Sequence, residues 1–526
     1  MKSSTLRTFI AVHTWVGLVA GFCLFIAFYA GALTLFHKQL RIWETSSSTT
    51  QAPESRARAQ SLIDTVLAAH PRARDRFFLR LPSYEAPRMV LEWEEPVPGG
   101  GKDIEHHFSL RPDGTLEDAA PYSQLADFIY RLHYSAGFPP SWGIYLLGLV
   151  CVLYGLALAS GVIVYAPTFF KDLFALRIGK NIKRMWQDAH NAIGILSLPF
   201  HLLYAWSSAI LTLGVILLAP LQFMVFDGKL LALVEKDISV TQPTRPSGIP
   251  APLRDTSALL ADAGRAVPGI RIESLFYEHA GDAKGRVIVY GTVEGRTVLA
   301  QAAAVLDASS GTALRTVTPR DASPGTTFLR GLQRLHFGSF GGAAVQWTYF
   351  FLAMAGAFLF YSGNLLWIEA RRKRRQHAQT RASRLMAQAT LGVCLGSVAG
   401  ISALLVLSKL APSNLPVWEE RGYYVVFFAA LAWAFLRPPA RAAHELLLVC
   451  AMVTAMIPLA QWARSGIDPL HALQRGDRVV ASVALVALTF AILYWKMARA
   501  VLRRGRDGDP YSVWSLRSVH ATADQQ

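Results

Sequence analysis

Eight long apolar runs decide what this chain of 526 residues can become. A bilayer core about 30 Å thick is crossed by a helix of about 20 apolar residues. Runs of that kind fall at about 9–36, 141–166, 190–219, 345–368, 386–408, 422–436, 444–462 and 479–497, the sixth being the shortest. Backbone in lipid must satisfy its own hydrogen bonds, so each run reads as a helix. The first is far longer than the roughly 7–15 residues of a signal-peptide core and closes on no small-residue cleavage site, so it reads as a retained span. Apolar residues make up 52% and charged residues 17% of the chain, against about 25% charged in soluble domains, and the mean hydropathy is +0.30. An ordinary cytosolic enzyme is excluded.

The formal charge of +16 would suit a nucleic-acid binder if it were not so unevenly placed. Arg371, Arg372, Lys373, Arg374, Arg375, Arg381 and Arg384 follow the fourth run; Lys171, Arg177, Lys180, Lys183 and Arg184 follow the second; Arg503, Arg504 and Arg506 follow the eighth. Basic loops stay cytoplasmic. All three groups share a side if the N-terminus, with Lys2 and Arg7, is cytoplasmic. The C-terminus is then cytoplasmic too, the long hydrophilic stretches lie outside, and no nucleic-acid partner is expected. Cys23, Cys151, Cys394 and Cys450 all sit within apolar runs, where cysteine behaves as a small apolar residue.

The first four spans carry a repeat. His13-x-x-x-Gly17-Leu18 opens span one and His190-x-x-x-Gly194-Ile195 opens span three; Arg131-Leu132-His133 precedes span two and Arg334-Leu335-His336 precedes span four. The hydrophilic stretches also match. A helical segment (about 55–69, and 255–266) precedes strand-like runs (Arg88–Glu94, Arg286–Tyr290) and a glycine hairpin (Leu110–Leu116, Leu306–Leu314). The fold class expected is therefore an all-α polytopic membrane protein of about eight transmembrane helices, the first four a duplicated two-helix unit, with two small α+β modules outside. Halves entering the membrane in the same direction are related by an approximate two-fold axis along its normal.

Equivalent residues near such an axis face each other, so His13 can pair with His190 and His133 with His336. Two bis-histidine sites result, and neutral imidazole is a good axial ligand for haem iron. A porphyrin lies along the helix that supplies its ligand; Gly17 and Gly194, on the same face as their histidines, leave it room. Arg131 and Arg334 could neutralise haem propionates, although arginine at an interface also snorkels. His201, eleven residues after His190, lies about 16 Å along a straight helix on roughly the same face and is held as a reserve ligand, although its repeat equivalent is Leu24. The segment from Phe337 to Gly342 is expected to bend the chain ahead of span four. No G-x-G-x-x-G follows a strand, so no dinucleotide site is expected.

These motifs, His-x-x-x-Gly-Leu, Leu-His, His190-Asn191-x-x-Gly194 and Leu335-His336-Phe337-Gly338, resemble in order and topology those of the PepSY-associated transmembrane helix family (PepSY_TM), over about residues 1–370. Where that family carries Thr-Gly motifs in its spans, this chain reads Ala30-Gly31-Ala32 and Ser207-Ser208-Ala209. The resemblance implies PepSY-like periplasmic modules at 38–130 and 220–335 and a bacterial inner-membrane location. It also implies kinship with haem-b ferrisiderophore reductases: two b-type haems held by His13, His190, His133 and His336, a cytoplasmic or quinol electron donor, and a periplasmic ferric siderophore or other ferric chelate as acceptor. The remaining boundaries expected are span one at 1–37, interfacial segments with spans two and four at 131–166 and 336–369, basic loops at 167–189 and 370–385, span three at 190–219, spans five to eight at 386–497 and a tail at 498–526. The rival reading is a non-enzymatic membrane anchor whose modules bind a peptide, protease or chelate. A transporter ranks last for want of acid or base pairs at mid-membrane.

Overall fold

Two units make up the chain: a helical one of Met1–Thr49, Tyr122–Val215 and His336–Gln526, and a sheet unit of Thr50–Pro121 and Ile216–Leu335. The structure, a computed structural model, describes residues 3–45, 54–83, 88–97, 103–119, 123–169, 182–230, 240–241, 244–293, 300–372, 376, 379–411 and 415–517. Among the basic residues used above for orientation, Lys2, Lys171, Arg177, Lys180, Lys373, Arg374 and Arg375 lie outside the described residues.

Along the chain come α1 (Ser3–Thr34), α2 (His37–Thr45), α3 (Ala59–Ala69), β1 (Arg76–Arg80), β2 (Val90–Glu95), β3 (Ile104–Leu110), β4 (Leu116–Asp118), α4 (Leu125–Ser135), α5 (Pro140–Tyr165), α6 (Ile182–Leu196) and α7 (Leu198–Met224). There follow α8 (Thr256–Ala266), β5 (Ile270–Glu278), β6 (Arg286–Val293), β7 (Gln301–Asp307), β8 (Ala313–Val317), α9 (Pro324–Phe337), α10 (Gly342–Ala370), α11 (Arg381–Leu410), α12 (Leu415–Leu436), α13 (Pro439–Ser465), α14 (Pro469–Gln474) and α15 (Arg478–Asp507).

Among the described residues six helices, α1, α5, α10, α11, α13 and α15, are long and apolar enough to cross a membrane. The third expected span is instead a broken pair: Lys183–Leu196 and Leu198–Gly214 meet at 69°. Pro199 explains the break, since proline lacks the N–H that would bond back into the preceding turn and its ring crowds that turn. Counted as one, the pair makes seven. The sixth expected span corresponds to α12, whose first turns carry Glu419, Glu420 and Arg421; it falls short of the apolar helices.

Within the helical unit α1 packs on α4, α5 and α10, and α11 packs on α12 and α13. Gly392, Gly396 and Gly400 form a stripe on α11 against Leu431, Phe427 and Tyr423 of α12, where a Cβ at Gly392 would lie 2.6 Å from Leu431 Cδ1. Small residues at such spacing let membrane helices approach closely. The unit takes in more chain than the hydrophilic stretches suggested. Trp43 (1% exposed) and Leu40 of α2, and Leu125, Ile129 and Leu132 of α4, are buried in its core, so the first module boundary at 38–130 is corrected to Thr50–Pro121. The bend expected before span four is present: Gly338, Gly341 and Gly342 have φ of +59°, +71° and +65°, which favours glycine.

The two α+β halves form one sheet. Its order is β4-β3-β2-β1-β5-β6-β7-β8, antiparallel throughout, with the halves joined by β1 and β5 in the register Phe77↔Tyr277 and Leu79↔Leu275. Phe77 and Leu79 alternate with Arg76, Phe78 and Arg80, so one face of β1 is buried. That face packs with α3 and α8 into a single core containing Leu62, Ile63, Leu259 and Leu275. The expected hairpins are the β3–β4 and β7–β8 turns, with Gly114 and Gly311 at φ +85° and +76°.

Candidate functional site

Four histidines meet in two pairs within the helical unit. His13 on α1 faces His190 on α6 with ring centroids 6.2 Å apart and planes at 79°. His133 on α4 faces His336, near the end of α9, at 6.0 Å and 43°. The separation has chemical meaning: two metal–imidazole bonds of about 2 Å, plus half of each ring, put centroids about 6 Å apart.

The other ring nitrogen of each histidine is engaged. His13 Nδ1 donates to Ala157 O (2.8 Å), His133 Nδ1 to Ala27 O (2.8 Å) and His190 Nδ1 to Leu359 O (3.1 Å). A carbonyl only accepts, so Nδ1 carries the proton and Nε2 keeps its lone pair. His336 reaches the same state by another route. Ser207 Oγ gives its proton to Leu203 O (2.6 Å) and therefore accepts from His336 Nδ1 at 2.7 Å. Such hydrogen bonds fix the tautomer and orientation of metal-binding histidines.

Glycines stand behind three of the four rings. A Cβ at Gly161 would lie 2.9 Å from His13 Cε1, one at Gly363 3.4 Å from His190 Cε1, and one at Gly31 2.6 Å from His133 Nδ1. Gly161 lies four residues after Ala157 and Gly363 four after Leu359, each preceded by serine, so the repeat extends to the backing of the first pair. Beside the second pair is a cavity of about 520 Å³ lined by Leu24, Ala27, Gly31, Tyr130, Tyr204 and Thr212 among others. That is within the range of small-molecule and cofactor sites, about 300–1,000 Å³.

The other candidates fare differently. Space around a Cβ at Gly17 is open, and one at Gly194 would make ordinary contact with Leu359 at 3.7 Å. Arg131 is turned to another partner: its guanidinium reaches Glu420 at 3.4 Å and sits 5.2 Å over the Phe128 ring. Arg334 lies on α9 two residues before His336. The straight-helix placement of His201 is corrected by the break at Ser197. His201 is fully buried, with Nδ1 2.5 Å from Tyr154 Oη, among Phe28, Phe200 and Tyr154. His37 pairs with Asp127 at 2.9 Å, His444 with Ala498 O at 3.0 Å and His471 with Asp468. Among the described residues, no group of three or more His, Cys, Asp or Glu side chains forms a metal cluster.

Fold and site together define a multi-pass membrane protein whose duplicated helices bring histidines together two by two. The chain belongs to the family described as the PepSY-associated TM region, which it matches over residues 10–370. It is also similar to an uncharacterized protein of Pseudomonas aeruginosa, PA4219, at 28% identity over 362 residues, covering 65% of this chain and 88% of that one.

Proposed function

We propose that this protein is a di-haem oxidoreductase of the bacterial inner membrane that passes electrons across it to a periplasmic ferric chelate, such as a ferric siderophore. The observation that carries the reading is the pair of facing imidazole couples, 6.2 and 6.0 Å between centroids, in each of which Nδ1 donates its proton and leaves the Nε2 lone pair for a ligand bond. A b-type haem at each couple would supply the one-electron chemistry that the amino acids lack. His13 and His190 hold one iron; His133 and His336 hold the other. Ala157 O, Leu359 O, Ala27 O and Ser207 Oγ orient the rings and raise their basicity. Gly31, Gly161 and Gly363 keep the ring positions clear. Ala27 lies about 21 Å along α1 from His13, so the couples occupy opposite halves of one helix, a separation that suits transfer across a bilayer. Reduction loosens the chelate because Fe(II) is held less well by hard oxygen ligands suited to Fe(III). The electron comes from a cytoplasmic partner or a quinol.

The test is a visible spectrum of purified, dithionite-reduced protein. A Soret and α-band signal is expected, with His13→Ala or His190→Ala removing one half of it and His133→Ala or His336→Ala the other. Colourless wild-type protein that still captures a periplasmic peptide or chelate would replace this reading with that of a membrane-anchored binding protein.

A further inference from the structure

The helix that carries His133 is held at its start by side chains from three separate segments, one of which, Glu419 on α12, lies beyond the duplicated spans. Three successive N–H groups there each meet a side-chain oxygen: Gln124 N donates to Glu419 Oε2 (3.0 Å), Leu125 N to Ser123 Oγ (3.2 Å) and Ala126 N to Glu44 Oε2 (3.1 Å). Helix starts leave such donors unsatisfied and favour negative charge. Ser123 Oγ also donates to Glu419 Oε1 at 2.5 Å and lies 3.3 Å from Glu44 Oε2. Both carboxyls are buried, Glu44 at 6% and Glu419 at 1% exposure. Lys409, on α11, donates to the carbonyls of Trp43 and Glu44 and rests 4.1 Å over the Trp43 ring.

α12 grips the rest of α4 as well. Glu420 meets Arg131, Tyr423 packs edge-on against Phe128 at 5.3 Å, and Tyr424 Oη donates to Gly137 O, just beyond the helix, at 2.8 Å. The contacts run from before the first turn of α4 to past its last.

We propose that the α11–α12 hairpin is a clamp that fixes α4, and with it His133, opposite His336, with Glu44, Ser123 and Glu419 as its latch. Part of the region after the duplicated spans thereby acquires a role, since these residues position a ligand helix and touch neither ring of the couple. The effect on the cofactor rests on the function proposed above; the effect on α4 does not.

Hydrogen–deuterium exchange on the full chain in detergent tests the clamp. Glu419→Ala and Glu44→Ala are each expected to speed exchange over residues 124–135 about tenfold, the order of losing a helix cap. Exchange in α6, which carries His190, should not change. Glutamine at either position, which keeps an accepting carbonyl, should restore most of the protection. Tyr424→Phe, which deletes one hydrogen bond, should have a smaller effect confined to the end of α4 and guards against poor folding of the alanine variants. Unchanged exchange in α4 across these variants overturns the clamp. Spectra of the same samples test the link to His133: the alanine variants should weaken only the His133/His336 half of the signal. Faster exchange with both halves intact would overturn that link, whereas a colourless wild type would defeat the haem reading and leave exchange to decide the clamp.

Discussion

One methyl group separates tolerated from untolerated substitution behind the histidine rings. Gly161→Ala and Gly31→Ala would place a carbon 2.9 Å from His13 Cε1 and 2.6 Å from His133 Nδ1, closer than carbon atoms rest. Gly363→Ala, at 3.4 Å from His190, needs a shift of only tenths of an ångström. If the couples hold haem as proposed, the expected order of its loss in a pyridine haemochrome assay is Gly31→Ala and Gly161→Ala severe, Gly363→Ala mild. Ser207→Ala removes the acceptor of His336 Nδ1 and, on the proposed di-haem reading, should weaken retention of the haem at that couple on the order of tenfold. The four histidines were legible because they recur in short motifs at matching ends of the spans. Their glycine backing was not, since Ser160-Gly161 and Ser362-Gly363 lie inside apolar spans, where glycine usually serves packing. The repeat was the available signal: the Ser-Gly pair occurs at matching depth in spans two and four. Gly31, within Ala30-Gly31-Ala32, and Ser207, within Ser207-Ser208-Ala209, are where His133 and His336 find their neighbours.

Among elements, α4 and the broken third span show what hydropathy reveals and what it hides. The apolar run at 190–219 marks a helix but says nothing of a 69° bend, which Pro199 imposes locally and which breaks the straight-line reckoning from His190 to His201. The carboxylates at the start of α4 come from sequence positions far apart, Glu44 and Glu419, so no local pattern could join them. They also predict a pH response. Burial pushes the Glu44 carboxyl up to about 8, against the pull of the Ala126 N–H and Arg41, with Glu419 and Asp127 pushing the same way as burial and Lys409 close by. A carboxyl that binds its proton more tightly when folded stabilises the folded state fully below its ordinary value of 4.5; that contribution declines as pH rises to about 8 and is then spent. Thermal melts of the full chain in detergent should fall by on the order of a few degrees across this window, and Glu44→Gln should flatten the slope.

At the scale of the molecule, the alternation of strand residues announced two α+β halves, and each is present with its helix and hairpin. Their fusion into eight strands was not legible, because alternation tells which face of a strand is buried and not which strand lies beside it. The join is made by β1 and β5, with Phe77 stacked on Tyr277 at 4.5 Å between centroids. Leu79→Ala, fully buried at this join, should cost about 2–5 kcal/mol, measured as a loss of resistance to urea by the sheet unit's tryptophan signal from Trp93.

Because strands from segments far apart in the chain are zipped edge to edge, continuity of the polypeptide is not what holds the halves of this sheet together. A single engineered protease cut after Gly228 should give two bands on a denaturing gel and one particle on a sizing column. By the same reasoning, a pair of genes encoding the two pieces separately could complement each other in the cell.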